Sequence, residues 1–142
     1  MKIRVMNKTR ESVLGSRVQL ADRWWERVRG FLGRSRPHGG EGILLSPCRA
    51  VHMIGISFPL DVLFLDRDGA VVALYPALRP GRFTRFHRRA SYALELQEGS
   101  IEASGTRMAD RVVWMPTAID NDAISAVAHR NGAASPAGGD SR

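Results

Sequence analysis

A single cysteine, Cys48, stands in the 142-residue chain. That excludes an internal disulfide and any four-cysteine zinc site within one chain. Long apolar runs are missing too. The longest, around Leu60–Leu65 and Ala70–Ala77, are strand-sized, and the N-terminal MKIRVMNKTRESVLGSRVQL alternates charge with apolar residues. Such a start reads as neither a signal peptide nor a membrane span, so the expected location is the cytoplasm. There is no Gly-rich phosphate loop, HExxH helix, CxxC pair or GxSxG elbow, and the well-marked enzyme classes therefore have no support. No metal and no cofactor is expected. Lysine is nearly absent, since 19 of the 21 basic residues are arginine. A GC-rich genome produces that skew by itself, so the positions of the arginines carry more than their number.

What is present is the composition of an ordinary globular chain, 44% hydrophobic and 25% charged. The length fits one domain and is enough to bury a core without covalent staples. The net charge of +7 is unevenly placed: residues 1–89 hold 17 of the 21 basic residues but only seven of the 14 acids.

Lys2–Asn7 alternates as a short strand, Asn7–Arg10 offers a turn, and Ser12–Leu20 reads as the returning strand with Val13, Val18 and Leu20 inward. Asp22 offers an N-cap for a helix over Asp22–Gly30, with Glu26 near its positive end and Gly30 and Gly33 stopping it. Trp24, Trp25, Val28, Phe31 and Leu32 recur at helical spacing, and the tryptophans read as core anchors before a binding platform. RSRPHGGE at Arg34–Glu41 is a polar loop. Gly42–Ser46 is a short apolar strand, and Leu60–Leu65 is a near-continuous apolar run, as for a strand covered on both sides. Asp66–Gly69 is a hairpin turn, because Gly69 can take positive φ where the chain reverses. Ala70–Leu78 supplies its partner; Tyr92–Leu96 and Val112–Met115 follow, with a single helical turn at Ser100–Ser104 between them. The expectation is a mainly β, β-rich α+β chain: a small antiparallel β-barrel or sandwich of seven or eight short strands with one packed helix, over residues 1–116. Residues 117–142 read as a tail, with a short helix conceivable over Ala118–Arg130 and a disordered end, NGAASPAGGDSR.

With the strands placed, several motifs stand in order: GFLGR at Gly30–Arg34, GEGILLSPCRAVHM at Gly40–Met53, FPLDVLFLDRDG at Phe58–Gly69, Arg79-Pro80-Gly81-Arg82, ALELQEGSIEASG at Ala93–Gly105 and Asp110-Arg111-Val112. Together they resemble the prokaryotic family of domain of unknown function 192, also called uncharacterised protein family 0127, over about Lys2–Met115. The resemblance implies a compact, β-rich, barrel-like fold and no agreed biochemical activity. Two departures stand out. Relatives usually have His-Thr followed by bulky residues and methionine, where this chain has His52-Met53-Ile54-Gly55-Ile56-Ser57, which alters the rim of any pocket beside His52. Many relatives also carry an export signal or lipid anchor that this N-terminus does not show. LELQEGSIEASGTRMADRV additionally has the rhythm of small swapped-hairpin barrels, a likeness of fold that carries no function.

Three candidate sites follow from the residues. Cys48 and His52, four apart on an extended chain, would lie about 13 Å apart at ~3.3 Å per residue, too far to pair unless the chain turns between them. The bland reading of Cys48 is a buried structural thiol. Asp61 sits in an otherwise hydrophobic strand, where a carboxylate needs a partner. A His52–Asp61 hydrogen bond across neighbouring strands would satisfy both groups and fix the imidazole tautomer. Such a pair would either stitch the barrel or line a pocket with Phe58, and Pro59 between them is a candidate cis bond. RPGRFTRFHRR at Arg79–Arg89 has five arginines, two phenylalanines and no acid. It could hold phosphates and stack bases, or hold a carboxylate or phosphate of another ligand, or be a solvated mobile loop whose phenylalanines tuck into the barrel. The expected ligand-binding residues are His52, Asp61, Phe58, Arg79 and Arg82, with no catalytic residue named. The leading expectation is a non-catalytic binding module for an anionic small ligand or protein partner. The alternatives are a hydrolase or lyase using His52 as general base, and weak nucleic-acid binding through the Arg79–Arg89 loop.

Overall fold

A computed structural model of the chain describes residues 1–117, apart from the side chains of Trp24, Trp25 and Val28. The expected tail, beyond Thr117, and the packing of the two tryptophans lie outside the described residues. Seven strands and two short helices follow in order: β1 (Lys2–Asn7), β2 (Ser12–Ala21), α1 (Trp24–Arg29), β3 (Glu41–Leu45), β4 (Leu60–Leu65), β5 (Val71–Leu78), β6 (Tyr92–Gln97), α2 (Ser100–Ser104) and β7 (Val112–Pro116). The fold is mainly β, as its alternating and apolar runs indicate.

The strands form one sheet in the order β5-β4-β6-β3-β2-β1-β7. Its two outer strands come together at one end. Ala70 and Arg111 form a bridge, the Val71 amide donates to the Asp110 carbonyl at 2.9 Å, and the Val112 amide donates to the Gly69 carbonyl at 2.8 Å. The sheet is therefore curled into a half-barrel whose edges touch at the Asp66–Gly69 turn. Gly69 has φ +85°, and a Cβ there would collide with the Val112 carbonyl oxygen. Pairing is antiparallel except between β2 and β3, which run parallel across the α1 crossover.

The central strands are largely apolar because they are covered on both faces, with Asp61 of β4 and Glu95 of β6 as the buried acids among them. Leu60, Val62 and Phe64 of β4 join Ile43 and Leu45 of β3 and Ala93 of β6 in a core that also takes Phe31, Val51, Met53, Ile56 and Phe58 from the segments laid over the sheet. The intervening Leu63, Leu65, Leu44, Leu94 and Leu96 point into the half-barrel and meet Ile3, Val5, Val18, Val112 and Ile101 of α2. Period-two alternation thus feeds two cores instead of one core and one wet face.

Three local expectations change. Val13 is 42% exposed while Leu14 is buried, because β1 and β2 shift register: Val5 faces Gly15 and Met6 faces Val13, leaving Leu14 as an extra residue. Asp22 is not the helix cap; Arg23 occupies that position, and its amide donates to the Glu26 carboxylate at 3.4 Å. The cis peptide bond precedes Pro47, not Pro59.

Candidate functional site

Asp61 and His52 do not meet. On β4 the odd-numbered residues face the half-barrel interior, so the Asp61 carboxylate points toward α2. There it accepts from the Ile101 amide at 2.8 Å through Oδ2 and from the Ala77 amide at 2.8 Å through Oδ1. Ala77 has φ +49°, so the carboxylate fastens an irregular point of β5 as well as the start of α2. The buried acid has its partners, and they are backbone N–H groups on the face of the sheet opposite His52. Phe58 is 5% exposed, packed edge-on against Phe31 at 6.1 Å between ring centroids. Both residues belong to the framework.

His52 is exposed and borders a cavity of about 260 Å³ on the other face. Phe31, Leu32, Leu45, Val51, Ile54 and Ile56 supply its apolar wall, and Arg27, Arg29, Cys48, His52 and Glu95 its polar groups. The chain turn that brings Cys48 and His52 to one cavity comes from residues 46–56, which fold back over β3 and β6; the Cys48 amide donates to the Ser91 carbonyl at 3.1 Å.

Glu95 is the residue that reading the sequence passed over. It lies on β6 between Leu94 and Leu96, on the same face as Ala93, and is 3% exposed. Its Oε2 has no hydrogen-bond partner among the described residues. Burial raises its pKa to about 7 against the opposing pull of the Arg34 charge. The turn after α1 is cut to fit it. Gly30 adopts φ +46°, and a Cβ there would stand 3.2 Å from Oε2. The signal was an acid inside an apolar strand, the same signal that drew attention to Asp61.

Cys48 is half-buried, and its thiol donates to the Ala50 carbonyl at 3.2 Å. Burial raises its pKa, the Ala50 contact and the Arg27 charge oppose that, and the Glu95 charge adds to it. The thiol is thus held protonated, the opposite of an activated nucleophile. No group of three or more His, Cys, Asp or Glu side chains suited to a metal occurs among the described residues.

Arg79 and Arg82 lie apart from the cavity wall, on an exposed segment that runs antiparallel to residues 49–53 through the bridge between His52 and Phe83. Phe83 and Phe86 are not tucked into the barrel; they are 66% and 64% exposed. The segment is pinned by its backbone. Gly81, Thr84 and His87 amides donate to the carbonyls of Met53, Val51 and Arg49 at 2.9, 2.9 and 2.8 Å. Among the described residues no helix is long and apolar enough to cross a membrane.

This arrangement belongs to a shared fold. A crystal structure of a candidate transcription regulator from Sinorhizobium meliloti superposes with a TM-score of 0.66 at 22% identity, covering 80% of this chain and 92% of that one. A protein of unknown function from Novosphingobium aromaticivorans gives 0.68 at 22% identity, covering 80% and 84%. In sequence, a UPF0127 protein of Thermococcus sibiricus is 33% identical over 114 residues, covering 78% of this chain and 73% of the relative. A UPF0127 protein of Pyrococcus furiosus is 30% identical over 113 residues, covering 78% and 97%. The model of domain of unknown function 192, described as an uncharacterized ACR, matches residues 5–114. The chain therefore belongs to the domain of unknown function 192 family, whose curated relatives carry the name UPF0127.

Proposed function

We propose that the chain is a binding module whose site is the cavity floored by Glu95, and that its ligand is a small amphipathic anion. One observation carries the reading: a buried carboxyl oxygen with no hydrogen-bond partner among the described residues stands in a cavity whose wall is largely apolar. A polar atom withdrawn from water and left unbonded costs roughly 1–3 kcal/mol. A ligand atom that meets it recovers that cost, and an apolar body fills the space between Phe31, Leu45 and Ile56. Arg27 and Arg29 of α1, with a net positive chain behind them, suit an anionic group at the mouth. The volume is near the lower end of ligand pockets, at about 300 Å³ and above, so the part enclosed is one side-chain-sized group. A general-base role for His52 has less support, since among the described residues no hydrogen bond orients its exposed ring, whose neighbour is Phe83 at 6.4 Å between centroids.

Saturation-transfer NMR with N-acetyl-leucinate, N-acetyl-phenylalaninate and their neutral amides tests this. The carboxylates are expected to bind more tightly than the amides. Glu95→Leu should abolish binding of both, and Arg27→Ala should erase the preference for the carboxylate. If Glu95→Leu leaves binding unchanged, the cavity is not the site.

A further inference from the structure

The exposed basic segment is built on a repeat of three, and the repeat sorts its residues by role. Arg82-Phe83-Thr84 is followed by Arg85-Phe86-His87 and then Arg88. The third position of each triplet faces the protein. Thr84 Oγ1 accepts from the Val51 amide at 2.9 Å. The His87 ring lies 4.6 Å from Phe64 between centroids and shares a 2.7 Å hydrogen bond with the Tyr75 hydroxyl. The first and second positions, arginine and phenylalanine, are all exposed. Three residues on this segment match two on the partner, because the amides of residues 81, 84 and 87 meet the carbonyls of residues 53, 51 and 49. Each Arg-Phe pair is therefore displaced from the next by about 6.6 Å, two residues of extended partner chain.

From this we infer that the Arg79–Arg89 segment is a binding surface for single-stranded nucleic acid, with Phe83 and Phe86 as stacking platforms and Arg82, Arg85 and Arg88 on the phosphates. The site is separate from the Glu95 cavity and does not rest on it. The spacing suits the ligand: about 6.6 Å per pair is close to two stacked nucleotides at about 3.4 Å per phosphate. Phe31, Phe58 and Phe64 are buried whereas Phe83 and Phe86 turn their rings to solvent; two such rings on one basic segment suit a flat apolar ligand, and bases offer one whatever their identity. An acidic protein segment would satisfy the arginines and leave the rings without a flat partner. The Arg49 guanidinium, 6.0 Å from the centre of the Phe86 ring, adds a cation beside the second platform. Beyond Arg88 the surface continues into an open groove lined by Arg49, Arg67, Arg88 and Arg89, where Asp66 and Asp68 are the opposing charges. Those two acids mark where phosphate contact should end.

Fluorescence anisotropy of the full chain with labelled dT20 and rU20, alongside a 20-base-pair duplex, tests the inference at 50–200 mM salt. Single strands should bind more tightly than the duplex. Phe83→Ala with Phe86→Ala should weaken single-strand binding more than tenfold, and Phe83→Leu with Phe86→Leu should weaken it nearly as much, since leucine keeps the apolar surface and loses the ring. Replacing Arg82, Arg85 and Arg88 by Gln should lower the slope of log K against log salt by about 2. Unchanged melting temperatures must accompany each variant, and Glu95→Gln should leave nucleic-acid binding intact. The inference fails if wild type does not bind single strands at 50 mM salt, if the duplex binds as well, if the phenylalanine pair is silent, or if polyglutamate displaces the oligonucleotide at equal charge.

Discussion

Asp61 and Glu95 are both acids inside apolar strands, and what separates the framework acid from the one that floors the proposed site is hydrogen bonding. Asp61 has both oxygens taken by backbone amides; Glu95 has an oxygen with none among the described residues. Asp61→Ala leaves the buried Ile101 amide and the half-buried Ala77 amide without their acceptor and removes charged hydrogen bonds of roughly 1.5–3 kcal/mol each. A net loss of about 3 kcal/mol or more is expected in urea denaturation. Asp61→Asn should lose less, because its amide oxygen can still accept from one of the two N–H groups. His52→Gln, at an exposed position, should stay within about 0.5 kcal/mol of wild type. A double-mutant cycle on His52 and Asp61 is expected to give a coupling energy indistinguishable from zero; a clear coupling would mean that the two faces of the sheet communicate in a way their hydrogen bonds do not provide.

At the scale of elements, the strands were legible because each carries its own signal: alternation in β1, an unbroken apolar run in β4, a glycine turn between β4 and β5. The helical turn at Ser100–Ser104 was legible from the same segment that supplied its flanking strands. Partners were not legible. Nothing local in β2 and β3 says that they pair in parallel, and nothing in FPLDVLFL says which face Asp61 takes, because parity acquires meaning only once both faces are known to be covered. The bulge that buries Leu14 instead of Val13 was hidden for the same reason. Glu95 was missed although it carried the signal that flagged Asp61, since its importance comes from the α1 turn laid across it. That turn can be probed directly. Gly30→Ala places a Cβ 3.2 Å from the Glu95 carboxylate at φ +46°, whereas Gly33→Ala, at φ +73°, meets nothing within 4 Å. Gly33→Ala should cost only the backbone strain, roughly 1 kcal/mol. Gly30→Ala should cost distinctly more, about 2–3 kcal/mol with strain and crowding together, and should also shift the cavity ligand's affinity. Equal losses at the two glycines would show that the α1 turn does not press on Glu95.

For the whole molecule, two buried acids, Asp110 and Glu95, bend stability with pH in opposite senses. Asp110 accepts from Arg10 Nε, Asn7 Nδ2 and the Arg107 amide at 3.0, 3.0 and 2.9 Å. Burial alone would raise its pKa, but the hydrogen bonds from Arg10, Asn7 and Arg107 and the Arg10 charge together bring it down to about 2. Its contribution is therefore full above the ordinary carboxylate value and fades as pH falls from about 4 toward 2. Glu95 acts the other way. Its pKa is about 7 in the folded chain against 4.5 for a free side chain, so the unfolded chain ionises first. The penalty is absent below about pH 4.5, grows to about pH 7, and is constant above it, reaching about 3 kcal/mol at 1.36 kcal/mol per pKa unit. Melting curves from pH 2 to 9 should show this as two separable differences. Glu95→Gln should match wild type near pH 4 and melt higher above pH 7, while Asp110→Asn should melt lower at pH 6 and converge on wild type near pH 2. Arg34, Arg27 and Cys48 face the Glu95 end, so Arg34→Gln should raise the Glu95 midpoint further and steepen the loss. A ligand that donates a hydrogen bond to the Glu95 carboxylate must also favour its ionised form, and saturating such a ligand should pull the wild-type midpoint back toward 4.5. If Glu95→Gln runs parallel to wild type across the whole range, the carboxyl is not held apart from water, and the cavity loses the polar group that gives it a purpose.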